Sequence, residues 1–106
     1  MKLLRTLVPA LAVALPGAAA QAADDVQQLR IAALAATCAN CHGTAGAAVD
    51  KSVVPGLAGL QPAYFVTQMK EFRGSGRNAT VMHQIAKGYS EAQIEQLAAY
   101  FAAQKR

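Results

Sequence analysis

The sequence lacks tryptophan and contains only two cysteines, two histidines and 15% charged residues among its 106 positions. So few Cys and His side chains argue against structural zinc, which takes four ligands of these types. Ten basic and six acidic residues give a formal charge of +4. The Lys and Arg residues are scattered and do not form the basic stripe of a nucleic-acid-binding domain. The length and the absence of internal repeats predict one domain, and the scattered basic residues predict no nucleic-acid partner.

The high hydrophobic content, 54%, is concentrated at the start of the chain. Two basic residues precede an apolar run at 7–20 that is shorter than the ~20 residues of a membrane-spanning helix. Small residues follow this run, a pattern typical of a secretory signal peptide. We predict a signal peptide at 1–22, cleaved after Ala22, and an exported domain at 23–106. An uncleaved membrane anchor is the alternative, but no stop-transfer charge cluster follows the run.

The exported domain is small and is not predicted to insert stably into a membrane. Removing Lys2 and Arg5 with the signal peptide leaves eight basic residues against six acidic ones. A chain of this size buries only roughly 60–65% of its unfolded surface, so it often needs a disulfide, a metal or a cofactor for stability. The two cysteines are the residues most able to provide such a disulfide, metal site or cofactor attachment.

Both cysteines lie in one short segment, in which Cys38 and Cys41 are two residues apart and His42 follows directly. Cys-x-x-Cys-His is the attachment pattern of c-type haem. Two thiols one helical turn apart can each bond a vinyl group on one porphyrin edge, and the adjacent imidazole can reach the iron. The motif predicts one covalent haem c. Such attachment takes place outside the bacterial cytoplasm, which agrees with export and predicts a periplasmic protein.

Three other interpretations of the cysteine pair are open. A thioredoxin-like redox disulfide needs a βαβ pattern around the motif, and no strand signal is present nearby. Zinc has only His83 as a further strong soft ligand. A purely structural disulfide across two residues closes a small loop and contributes little stability. Haem attachment is the preferred interpretation.

The pattern of apolar residues predicts an all-α fold of about four short helices and no strand. In the first helix, Val26, Leu29 and Ala33 form the expected apolar stripe, with Asp24 and Asp25 near its start. A closing helix begins after Ser90, whose spacing to Gln93 indicates a capping box. The predicted helices cover residues 25–37, 62–73, 80–87 and 90–103.

The sixth iron ligand has three candidates after signal cleavage: Met69, Met82 and His83. Met69 lies on the apolar face of its helix and is expected to pack in the core. Met82 follows a glycine-rich segment that can close over the second haem face, and a thioether ligand suits electron transfer. We predict Met82 as the ligand. His83, and an open iron site that would favour sensing or peroxidase-like chemistry, stay as alternatives.

Residues 23–106 resemble the class I cytochromes c over essentially their whole length. The matching pieces stand in family order: CANCHG at 38–43, PGLAG at 55–59, TVM at 80–82 and LAAYF at 97–101. The resemblance implies a class I cytochrome c fold wrapped around one haem, with the first and last helices packed across one another.

The same resemblance implies the roles of five residues. Cys38 and Cys41 carry the thioethers, His42 is the proximal ligand and Met82 is the distal ligand. Pro55 matches the loop proline whose carbonyl orients the proximal imidazole.

Within this class, the stretches at 57–64 and 80–90 are similar to the cytochrome subunit of flavocytochrome c sulfide dehydrogenase. In that family an FAD-containing subunit oxidises sulfide and the cytochrome takes the electrons. Some members carry two haems, whereas this chain has one attachment motif. The resemblance implies a periplasmic electron-transfer subunit without catalytic residues of its own. A free monohaem carrier serving a respiratory oxidase or reductase is the alternative, and a ligand-binding haem enzyme or sensor is a further one.

Two sets of residues could contact a redox partner. The first is apolar: Ala47, Ala48, Val49, Val53 and Val54. The second is basic and could steer an acidic partner: Lys51, Lys70, Arg73, Arg77 and Lys87.

Overall fold

The structure, a computed structural model, describes residues 17–106, which contain helices and no strand. The α-helices are α1 (Gly17–Ala36), α2 (Ala39–His42), α3 (Pro62–Gly74), α4 (Met82–Ala86) and α5 (Glu91–Ala102), with a 3₁₀ turn at Thr44–Gly46. The all-α prediction is confirmed for this part of the chain. Most of the predicted signal peptide, residues 1–16, lies outside the described residues. None of the described helices has the length and hydropathy to cross a bilayer.

Helix α1 differs most from its prediction. It begins at Gly17 rather than near residue 25, because the alanine-rich stretch before Asp24 has high helix propensity. The predicted apolar stripe is wrong: Leu29 is 70% exposed, whereas Ala35 is buried. Alanines occur on several faces of this helix, so hydrophobic periodicity separates the faces poorly. Helix α1 contacts α5.

Helices α3 and α5 form the centre of the core, as their predicted apolar faces indicated. Phe65 and Met69 of α3 are buried, and their neighbours include Ile94, Leu97 and Phe101 of α5. The rings of Phe65 and Phe101 lie 5.7 Å apart, within the range of favourable aromatic pairs. Helix α4 packs on α3. The predicted bounds of α3, α4 and α5 agree with the structure to within two residues.

The start of α5 has the capping box that its sequence predicts. The Ser90 hydroxyl accepts from the Gln93 backbone N–H, and the Gln93 side chain accepts from the Ser90 N–H. Glu91 in the first turn also pairs with Lys70 and Arg73 of α3. Hydrogen bonds from these two cations lower the pKa of the Glu91 carboxyl. The pairs are exposed, so they orient the helices more than they stabilise them.

Gly46 joins the 3₁₀ turn to the core and to the loop before α3. Its φ is +77°, and an added Cβ would lie 2.8 Å from Phe101 Cδ1 and 2.9 Å from the Ala58 nitrogen. Its carbonyl accepts from the N–H groups of Leu57, at 2.8 Å, and Ala58, at 3.1 Å. Only glycine fits this position, because both its backbone conformation and the surrounding space exclude a side chain.

We expect Gly46→Ala to lower the free energy of unfolding of the haem-containing protein by about 2–4 kcal/mol, from left-handed strain and overpacking. Gly74→Ala is the matched control, because nothing lies within 4 Å of a Cβ at that helical position. Urea denaturation measures both. An equal stability for the two variants would contradict the assigned role of Gly46.

Candidate functional site

The Cys-x-x-Cys-His motif is folded as a single helical turn directly after α1. The His42 N–H donates to the Cys38 carbonyl at 2.9 Å, and the Cys41 N–H donates to the same carbonyl at 3.3 Å. Both cysteines are free thiols; Cys38 is partly buried and Cys41 is exposed. The two sulfurs therefore leave the same short helix, as attachment to one edge of a ring requires.

The Cys38 thiol lies beside a hydrogen bond that the sequence did not predict. The Thr37 hydroxyl donates its single proton to the Leu34 carbonyl at 2.7 Å, so the Tyr89 hydroxyl must donate in the 2.8 Å contact between Tyr89 and Thr37. The Thr37 oxygen is 3.9 Å from the Cys38 sulfur. Burial raises the pKa of the Cys38 thiol, and the neighbouring hydroxyls of Thr37 and Tyr89 oppose this shift.

His42 is the one buried polar residue within the described part of the chain, with 8% of its surface exposed. Its Nδ1 lies 2.6 Å from the Pro55 carbonyl oxygen. A carbonyl oxygen can only accept, so Nδ1 carries a proton and donates it to Pro55, and Nε2 is the ring nitrogen available to a metal. The hydrogen bond therefore sets both the tautomer and the orientation of an imidazole that can bind a metal through Nε2.

The Pro55 carbonyl is held by the loop that follows it. The Leu57 and Ala58 N–H groups donate to the Gly46 carbonyl, and the Gly59 N–H donates to the Phe101 carbonyl at 2.8 Å. The loop that carries the Pro55 carbonyl is therefore hydrogen-bonded both to the 3₁₀ turn after the motif and to the C-terminal end of α5.

The three candidate sixth ligands occupy different environments. Met69 is 5% exposed and belongs to the core cluster, as predicted. Met82 and His83 are the first two residues of α4 and are both partly buried; Met82 packs against the edge of the core. Consecutive residues of a helix point about 100° apart. A fixed α4 can therefore direct only one of these two side chains toward a single metal position.

The donor set fits a covalently held haem. Two free thiols on one turn, an imidazole with a fixed tautomer and a partly buried thioether are the groups that c-type haem uses. Zinc finds no comparable set, because no three His, Cys, Asp or Glu side chains converge on a metal position anywhere in residues 17–106.

Comparison with known proteins agrees with this chemistry. The cytochrome c family model matches residues 28–105. The match includes the attachment motif, the Pro55 loop and helices α3 to α5. The chain belongs to the cytochrome c family.

Several characterised relatives are similar to this chain. The cytochrome subunit of sulfide dehydrogenase from Chlorobaculum tepidum is 39% identical over 84 residues, which cover 79% of this chain and 74% of that one. A thiosulfate dehydrogenase electron acceptor from Thiomonas intermedia is 40% identical over 67 residues, 63% of this chain but 31% of that one. Cytochrome c-554(548) from Halomonas halodenitrificans is 35% identical over 72 residues, 65% of this chain and 86% of that one.

Family membership makes this chain an electron-transfer protein that carries covalent haem c. The relatives are a cytochrome subunit and an electron acceptor, so the expectation of a redox carrier rather than an enzyme is confirmed. They also indicate that its partners are redox proteins.

We expect each thiol to contribute to haem retention. Cys38→Ala and Cys41→Ala should each lower the yield of protein that keeps haem after denaturation, and the double variant should keep none. Haem staining of denaturing gels and intact mass measure this. Met69→Leu, a volume-conserving core change that costs under about 1.5 kcal/mol, is the control and should keep its haem. Covalent haem in the double variant would contradict attachment at these cysteines.

Proposed function

We propose that this chain is a periplasmic cytochrome c that accepts electrons from a sulfide-oxidising flavoprotein. The observation that carries the partner assignment is the 39% identity to the Chlorobaculum tepidum subunit, which extends over 74% of that relative. The site geometry supports the electron-transfer chemistry, since a hydrogen bond orients the buried imidazole and leaves its Nε2 available to a metal.

Five residues of the chain hold the haem in this proposal. Cys38 and Cys41 would form the two thioether bonds to the haem. His42 would bind the iron through Nε2 while the Pro55 carbonyl accepts from its Nδ1. Met82 would supply its sulfur as the second protein ligand of the iron. Bound there, haem iron provides a one-electron change between its ferric and ferrous states.

The two proposed protein ligands, His42 and Met82, would limit the iron to electron transfer. If His42 and Met82 both bind the iron, it would have no position open to a substrate, unlike in a ligand-binding haem enzyme or sensor. A thioether ligand favours the ferrous state and raises the reduction potential. A partner protein therefore has to bind at the surface and transfer electrons to the haem without contacting the iron.

The exposed segment after the 3₁₀ turn is a suitable contact surface for that partner. Val49 is 75% exposed and Val53 is 99% exposed, and Cys41 is exposed on the attachment turn. An apolar contact surface fits a stable subunit association better than a brief encounter. The basic pair Lys70 and Arg73 is already engaged by Glu91, which makes steering by these two residues less effective.

A free monohaem carrier is the second candidate function. Cytochrome c-554(548) favours it, because the alignment covers 86% of that small relative. The same iron ligation serves both functions, so they differ only in the partner surface.

Export of the protein rests on its N-terminal sequence. The signal peptide at 1–22, the domain at 23–106 and the periplasmic location remain proposals, supported by the charge and apolar pattern and by the site of covalent haem attachment.

Met82→Ala should lower the reduction potential on the order of 0.1 V, within the ~0.8 V range that axial ligands span. It should also let carbon monoxide or cyanide bind without denaturant, because the sixth position opens. Spectroelectrochemistry and ligand titration measure these effects. Met69→Leu should change neither. An unaltered spectrum and potential in Met82→Ala would reject Met82 as the ligand.

Sulfide should reduce the cytochrome at a catalytic rate only with its flavoprotein. The haem protein is purified gently from its native periplasm, and its visible spectrum is followed after sulfide addition. Copurifying flavin and fast reduction, compared with the cytochrome freed of flavoprotein at the same sulfide concentration, are expected. The freed cytochrome corrects for direct chemical reduction. If the purified protein contains no flavin, and sulfide reduces it as slowly as it reduces the freed cytochrome, the result favours the free carrier.

A further inference from the structure

The chain between α3 and α4, residues 75–81, leads directly into Met82 and has little support of its own. Ser75 has a left-handed φ of 63°, and the Gly76 N–H donates to the Glu71 carbonyl at 2.9 Å to end α3. Beyond this turn, the backbone of residues 77–80 makes no hydrogen bond within the described part of the chain. The position of this α3–α4 connection therefore depends on side chains.

Arg77 provides the side-chain contacts that join the α3–α4 connection to α3. Its guanidinium carbon lies 4.8 Å from the centre of the Phe72 ring, within the range of a cation–π contact. It also donates to the Gln68 side-chain oxygen. The Gln68 amide nitrogen in turn donates to Glu71 at 3.2 Å, which fixes the direction of that amide.

Phe72 transmits this restraint to the core. It is partly buried and packs against the cluster that contains Phe65 and Met69. Arg77 therefore covers the outer face of a ring whose inner side contacts the core. The guanidinium contacts two side chains of one helix, Phe72 and Gln68, both within two turns of its C-terminal end.

We propose that Arg77 is a positioning residue for the distal iron ligand. By holding the α3–α4 connection on Phe72 and Gln68, Arg77 keeps the first turn of α4 where the Met82 thioether remains on the iron. The inference rests on the proposed ligation by Met82.

The effect can be measured as displacement of Met82 by added imidazole. Imidazole binds ferric iron only after Met82 leaves, so its apparent affinity reports the fraction of molecules in which Met82 has left. Losing one exposed cation–π contact should raise that fraction about two- to five-fold. We expect Arg77→Gln to bind imidazole about two- to five-fold more tightly than the unaltered holoprotein, with Arg77→Lys in between.

Lys70→Gln is the matched control. It also removes one positive charge, but Lys70 lies on α3 and contacts Glu91 of α5 rather than the α3–α4 connection. Its imidazole affinity should equal that of the unaltered protein. Phe72→Leu removes the same cation–π contact from the other side. The effects of Arg77→Gln and Phe72→Leu on imidazole affinity should therefore be non-additive in the double variant.

The outcomes separate this inference from the ligand assignment. An unchanged imidazole affinity in Arg77→Gln, while Met82→Ala binds imidazole far more tightly, overturns the role of Arg77 and leaves Met82 as the ligand. Equal affinity in the unaltered protein and Met82→Ala overturns both. A lower denaturation midpoint in Arg77→Gln without a change in imidazole affinity shows a structural role only and also overturns the inference.

Discussion

The hydrogen bond between His42 Nδ1 and the Pro55 carbonyl is the constraint on which the rest of the site depends. It selects the imidazole tautomer that leaves Nε2 for the iron, and it links the attachment turn to the following loop. That loop donates in turn to Gly46 and to the end of α5. The packing of α5 in the core and the orientation of the His42 imidazole are therefore parts of one hydrogen-bonded network, in which Gly46 has no room for a side chain.

The two sides of the proposed haem site are supported differently. On the proximal side, backbone hydrogen bonds restrain the segment from Cys38 to Gly59 at several points. On the distal side, the approach to α4 relies on contacts of the exposed Arg77 with α3. Exposed side-chain contacts are weaker and open more easily than buried backbone ladders. The His42 imidazole is therefore held more firmly than the chain that leads to Met82, the proposed thioether ligand.

Local structure was largely predictable, and the failures have a common cause. Helices α3 and α5 were predicted correctly because their large apolar residues recur at helical spacing and because Ser90 and Gln93 form a cap through neighbouring residues. The apolar face of α1 was predicted wrongly because its many alanines offer little contrast between faces. The start of α1 was also misplaced, since local propensity continues the helix upstream of the predicted cleavage point at Ala22.

The sequence alone determined the attachment chemistry, because Cys38, Cys41 and His42 are close along the chain and one helical turn brings their side chains together. It also separated Met69, on a regular apolar stripe, from Met82. Only the tertiary structure decided the hydrogen bond from Tyr89 to Thr37, which spans 52 positions. The contact between His42 and Pro55, 13 positions apart, was expected from the family resemblance, and the structure supplied its geometry. Such contacts depend on how the helices pack, and neither propensity nor spacing encodes that packing.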